Sequence, residues 1–354
     1  MEEKRALSNT PRTFISANGK DGFFSLYDEV FDIKKFDKIY MIFGGPGTGK
    51  STFLKAISRK GTEMGVRVEE IACSSDPYSL DGVILEKGDR RIGILDGTPP
   101  HARVITSPAV YEELIDLGAF WDERRLATHK RELFALAEQK KRAYACTYAL
   151  LSSLGALREE RRIRLSPHFD REKAKRQIKH KLAACKEKGE AKRRLLRSFS
   201  GAGEVVLPFS EGGVDNLLFV GGDKISAEMY LSYFEEIARE LSIKRTVFLS
   251  PLDGKSIDAI FLDDCKTLLI KEALRQSGQT GRRIVADRFF TAIPEESKER
   301  REIYEGVKRA ALTALAEAKE AHAAMEEYYM DGMNFDALAE FREKRTEEII
   351  ANLF

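Results

Sequence analysis

Short apolar runs and amphipathic stretches alternate along the first hundred residues of this chain. Lys38-Ile39-Tyr40-Met41-Ile42-Phe43 is an apolar run of strand length that ends at a glycine cluster. Residues 51–57 open a helical period that should reach about Met64-Gly65. Residues 66–73 read as a second strand, Val83-Ile84-Leu85 as a short third, and residues 91–96 as a fourth, closed by an aspartate. Strands alternating with helices predict an α/β fold with a parallel sheet.

From about Pro108 the period becomes helical for most of ninety residues. Leu126, Leu133, Ala137, Tyr144, Tyr148 and Leu151 fall at multiples of three and four, which predicts one long amphipathic helix with a break at Ser152-Ser153-Leu154-Gly155. Near the end, Ile303, Val307, Ala310, Ala314, Ala318, Ala321 and Met325 form a narrow alanine-rich seam suited to close helix packing. Residues 328–335 interrupt it, and a last helix is expected over 336–353.

The glycine cluster carries the candidate chemistry. Gly44-Gly45-Pro46-Gly47-Thr48-Gly49-Lys50-Ser51-Thr52 fits the phosphate-loop pattern GxxxxGK[S/T], with a strand before it and a helix after it. Glycines let backbone N–H groups turn inward around a polyphosphate, and the helix start adds unpaired donors and a positive dipole end. In such a cradle Lys50 neutralises phosphate and Ser51 is placed to ligate Mg²⁺. Asp96, at the carboxyl end of its strand, is the expected second metal-side residue; the plainer reading is that it caps the turn Asp96-Gly97-Thr98-Pro99-Pro100. His101 just beyond reads first as a local hydrogen-bonding residue.

The chain also repeats itself. A shift of 177 residues sets Phe43-Gly44-Gly45 on Val220-Gly221-Gly222, Leu54 on Leu231, and residues 76–81 on residues 253–258. Arg12-Thr13-Phe14 finds an echo in Arg197-Ser198-Phe199. Two lobes follow, 1–196 and 197–354, the first with a basic helical arm over about 122–196 and the second with a terminal helical hairpin. At the Lys50 position the second lobe has Ala227, at Ser51 it has Glu228, and at Asp96 it has Lys271, so its phosphate and metal residues are missing together. Asp76, Ser79 and Asp81 persist as Asp253, Ser256 and Asp258, which favours a loop-closing role. Asp76 is nonetheless the candidate base, because α/β sheets place ligands at the carboxyl ends of their strands.

With 354 residues the chain has room for two domains with cores of their own. Its apolar runs are strand-sized and no early stretch looks like a signal peptide, so a cytoplasmic protein without a membrane segment is expected. Cys73, Cys146, Cys185 and Cys265 lack CxxC spacing and are expected as free thiols, with neither a disulfide framework nor a zinc site. Net charge is only +2, but residues 158–197 hold sixteen Lys or Arg against six Asp or Glu. That density suits a nucleic-acid backbone; without interleaved aromatics, a solvated helical arm is the favoured reading.

The loop residues 44–51, the segments Cys73-Ser74-Ser75-Asp76-Pro77-Tyr78-Ser79-Leu80-Asp81-Gly82 and Leu95-Asp96-Gly97-Thr98-Pro99-Pro100-His101, and the tandem second lobe together resemble a poorly characterised bacterial family of duplicated P-loop ATPases. The resemblance implies ATP binding and hydrolysis, with a phosphate loop in both lobes; residues 223–228 depart from that in the second. The expectation is therefore an Mg-dependent ATPase or ATP-driven switch with one site and an unknown target. The alternatives are a nucleotide or small-metabolite kinase and a non-hydrolysing ATP sensor. No Asn-Lys-x-Asp sequence supports guanine.

Overall fold

The computed structural model describes residues 10–100, 104–209 and 213–354; His101 lies outside them. The first half holds β1 (Arg12–Thr13), the hairpin β2 (Ser16–Gly19) and β3 (Gly22–Ser25), α1 (Tyr27–Val30), β4 (Lys38–Phe43), α2 (Lys50–Glu63), β5 (Arg67–Ala72), β6 (Leu80–Lys87), β7 (Arg90–Asp96) and β8 (Glu112–Asp116). Three helices follow: α3 (Glu123–Ala127), α4 (Lys130–Leu165) and α5 (Arg171–Leu182). The second half holds β9 (Ala191–Arg194), the hairpin β10 (Arg197–Ser200) and β11 (Gly203–Val206), β12 (Asn216–Gly221), α6 (Lys224–Glu240), β13 (Arg245–Leu249), β14 (Ile257–Leu262), β15 (Thr267–Lys271), β16 (Arg282–Val285), α7 (Lys298–Asp331) and α8 (Phe335–Ala351).

Two six-stranded sheets result, ordered β1-β5-β6-β7-β4-β8 and β9-β13-β14-β15-β12-β16. Each has the same sequence of pairings, and each is mixed where an all-parallel sheet was expected. β5, β6 and β7 form an antiparallel meander, as do β13, β14 and β15, while the remaining neighbours run parallel. The short connections at 88–89 and 263–266 leave no room for a crossover helix, so those strands return antiparallel. Residues 80–87 form one long strand in place of the three-residue one expected.

The repeat begins earlier than its sequence echo suggested. β9 pairs in the second sheet, and Phe14 and Leu195 exchange backbone hydrogen bonds (2.9 and 2.8 Å), placing β1 opposite β9 and β2 opposite β10. The lobes do not keep separate cores. One buried apolar cluster runs from Phe31, Ile39 and Met41 through Phe14 and Leu195 to Tyr230, Phe234 and Ile260.

The helices depart furthest from expectation. Residues 112–116 are a strand, because Ile115 and Leu117 bury beside β4. The basic stretch splits between α4, α5 and β9. The expected break at 152–155 is absent; α4 runs straight through, and Gly155 lets the Lys20 side chain lie against the helix. No lobe keeps a long helical hairpin to itself. α4 packs antiparallel on α7, as shown by Lys140 beside His322 at one end and Glu160 paired with Arg300 at the other. Ala311, Ala314, Leu315, Ala318, Ala321 and Met325 are buried on α7, whereas Ile303 and Ala310 of the expected seam are exposed. α8 returns to the first lobe, where Leu338, Ile349 and Ile350 pack with Phe53, Leu54 and Ile57 of α2.

Cys185 and Cys265 are joined as a disulfide, correcting the expectation of four free thiols. The chain after α5 docks on the turn between β14 and β15, where the Asp264 carboxylate accepts the Lys186 and Glu187 amides. Cys73 and Cys146 are free. No helix among the described residues is long and apolar enough to cross a membrane.

Candidate functional site

β4 ends in the centre of its sheet, between β7 and β8, and the glycine loop leaves from its carboxyl end. Gly49 is the residue before α2, at φ 81°, a conformation that glycine adopts without a steric cost. No side chain caps the first turn of α2, so its amides are available to a ligand. Lys50 folds back over the loop, donating from Nζ to the Gly44 (2.7 Å) and Gly45 (2.9 Å) carbonyls. Thr48 donates to the Gly45 carbonyl at 2.9 Å and is buried. Pro46 is half-buried and Thr52 exposed.

Register brings the acidic partner. Ile42 of β4 stands opposite Asp96 of β7, and the buried Asp96 lies 3.8 Å from Lys50 Nζ through Oδ2. Its Oδ1 accepts from the Thr98 amide (2.8 Å) and hydroxyl (2.5 Å). Asp96 thus caps the following turn and also faces the lysine. Ser51 Oγ accepts the Leu80 amide at 2.9 Å, which fixes the hydroxyl beside β6 and leaves its proton free. No group of three His, Cys, Asp or Glu among the described residues forms a metal cluster. A Ser51–Asp96 pair instead suits Mg²⁺, which keeps several waters and takes few protein ligands.

Asp76 sits at the rim, where its Oδ2 accepts from Ser79 Oγ (2.7 Å) and its Oδ1 is 3.5 Å from Lys319 Nζ. The second lobe repeats the Ser256–Asp253 contact, in keeping with loop closure.

What sequence reasoning missed comes from far along the chain. The outer side of the loop is walled by Trp121, α7 and α8. A Cβ at Gly45 would stand 3.0 Å from the Trp121 ring, and one at Gly47 would stand 2.8 Å from Met330 Cγ and 3.0 Å from the Glu326 carbonyl. The Gly47 amide donates to the Glu326 carboxylate, but burial dominates and pushes that carboxyl up. His322, 3.6 Å from Glu326, is pushed down to about 4 by burial and by Lys140 and Lys50, so its imidazole is neutral at pH 7. Burial likewise lowers the Lys140 ammonium, and Lys50 adds to it. The signal for this wall was the polar interruption Lys319, His322 and Glu326 beside the alanine seam, which acquires meaning only once α7 reaches the first lobe. Arg125 is held bidentately by Asp331, at 2.7 and 2.5 Å.

The second lobe fills the corresponding place with its own charges. Asp223 caps α6 by accepting from Ile225 (2.9 Å) and Ser226 (3.4 Å), and Asp287 accepts the Asp223 amide (2.9 Å). Glu228 is paired with Arg158 from α4 and with Lys271 at 3.1 Å; Lys271 also reaches Asp258 at 2.8 Å. A cavity of about 530 Å³ remains there, and its cations Arg158, Arg197, Lys271 and Lys308 are each matched by a carboxylate.

No family model, curated protein or solved structure matches the chain.

Proposed function

We propose that the protein is an ATPase or ATP-driven switch with one Mg-ATP site, formed by loop residues 44–52 with Asp96, and a second lobe that binds no nucleotide. The observation that carries this reading is the contrast between two helix starts. The amides opening α2 are uncapped and sit beside Lys50, whereas those opening α6 are taken by Asp223. A polyphosphate supplies the first with its missing acceptors and finds none of the second available.

Backbone N–H groups of residues 45–51 would cradle phosphate, Lys50 would neutralise it, and Ser51 with Asp96 would hold Mg²⁺, which when bound offsets phosphate charge. The neutral His322 and the rim carboxylate Asp76 are this chain's candidates for orienting a nucleophile or taking its proton. Phosphate release from Mg-ATP by the wild type and by Lys50→Ala tests the reading. The wild type should release phosphate and the variant should not. Equal release by both contradicts the site. Transfer of labelled phosphate to an acceptor without net hydrolysis makes the protein a kinase instead.

A further inference from the structure

Lys140 lies on α4 some ninety residues from the glycine loop, yet it faces the same space. His322 Nδ1 is its hydrogen-bond partner, at 3.4 Å, and among the described residues it has no carboxylate within 4 Å. A half-buried ammonium next to a neutral imidazole and a second lysine is costly unless an anion compensates it.

The duplicated lobe supplies an internal control. There α7 brings Lys308 to the cavity lined by Gly221, Gly222 and Ala227, the counterparts of Gly44, Gly45 and Lys50. Lys308 is ion-paired with Glu204 on β11. The hairpins superpose strand for strand, so the position of Glu204 falls in the first lobe on Phe23, which has no carboxylate. The lobe without a phosphate cradle neutralises its lysine internally, and the lobe with one leaves it unmatched.

Resting on the nucleotide site proposed above, we infer that Lys140 is a second phosphate-binding cation that contacts the terminal phosphate and makes the site prefer nucleoside triphosphate over diphosphate. Lys50 is engaged with the inner loop carbonyls, so an outer phosphate needs a separate counter-charge. α4 also pairs with the second lobe, through Arg158 to Glu228 and Arg161 to Asp223 (2.7 Å). A terminal phosphate held by Lys140 would therefore be felt by the helix that spans both lobes.

Trp121, the sole tryptophan, lies against Gly45 and reports on the loop by its fluorescence. ATP and ADP are titrated, with Mg²⁺, into the wild type, Lys140→Met, Lys140→Arg and Lys308→Met, and the melting temperature of each ligand-free protein is recorded. The wild type and Lys308→Met should bind ATP at least about tenfold tighter than ADP, as expected for one added charge-assisted contact. Lys140→Met should bind ADP like the wild type and lose the preference for ATP, with Lys140→Arg restoring it. The ligand-free Lys140→Met protein should melt higher than the wild type, whereas loss of a purely structural lysine lowers melting. An unchanged ATP-to-ADP ratio in Lys140→Met, or equal loss of both nucleotides, overturns the assignment of Lys140 alone. A wild type that binds neither nucleotide overturns the phosphate-loop reading as well.

Discussion

Lys271 donates to Glu228 at 3.1 Å in the second lobe, at the place where the first lobe sets Asp96 3.8 Å from Lys50. The two lobes thus keep a cation and a carboxylate at the same strand end and helix start, with the two partners exchanged. In the first, the lysine stands on the helix and can meet phosphate. In the second, the glutamate stands there and repels it. Glu228→Ala leaves Arg158 and Lys271 without their shared partner, and should destabilise the fold by about 3–5 kcal/mol in urea unfolding. Ala227→Lys with Glu228→Ser should not create a second nucleotide site, because Asp223 still occupies the first-turn amides.

The same network sets an acid limit. Asp258 is fully buried against Arg197 and Lys271, and although burial opposes it, those cations hold its carboxyl down at about 2 against an ordinary 3.8. A depressed carboxyl contributes its stabilisation above the unfolded value and loses it as pH falls toward the folded value. About 2 kcal/mol should therefore disappear between pH 4 and pH 2. Urea midpoints across that range should fall for the wild type and fall less for Asp258→Asn, which starts from a lower stability.

Gly47 tests how tightly α7 closes over the loop. It sits at φ 71°, and a methyl group there would press on the Glu326 carbonyl. Gly47→Ala should cost about 1–3 kcal/mol, read from thermal or urea unfolding without ligand. An unaffected variant would mean that α7 stands further from the loop.

Leu338 of α8 is buried with Phe53 and Leu54 and lies 3.4 Å from where a Cβ would stand on Gly49. Leu338→Ala should destabilise by about 2–5 kcal/mol, the range for a buried leucine truncation. It should also weaken nucleotide binding, because α8 backs the start of α2. Binding at wild-type strength in a folded variant would separate α8 from the site.

Local rules made part of this architecture legible. β4, α2 and β7 fall where apolar runs and the glycine cluster put them, because a strand, a loop rich in glycine and an amphipathic helix are specified within a few residues. The repeat was readable because Gly221-Gly222 and Asp253, Ser256 and Asp258 kept their spacing. The antiparallel return of β6 was not, since an apolar strand has no mark of its direction. Nor was the partnership of α4 with α7, because an alanine seam specifies close packing without specifying against which helix. The wall of Glu326, His322 and Lys140 depends on that partnership, so its residues read in sequence as ordinary surface charges. The pairing of Cys185 with Cys265 has the same cause, a tertiary approach across 80 residues.

The most direct test of a single phosphate cradle is calorimetric titration of Mg-ATP into the wild type, Lys50→Ala and Ser51→Ala. One ATP per chain should bind to the wild type, with affinity lost in Lys50→Ala and weakened in Ser51→Ala. Two equivalent ATP molecules per chain, or unchanged affinity in both variants, would contradict the account.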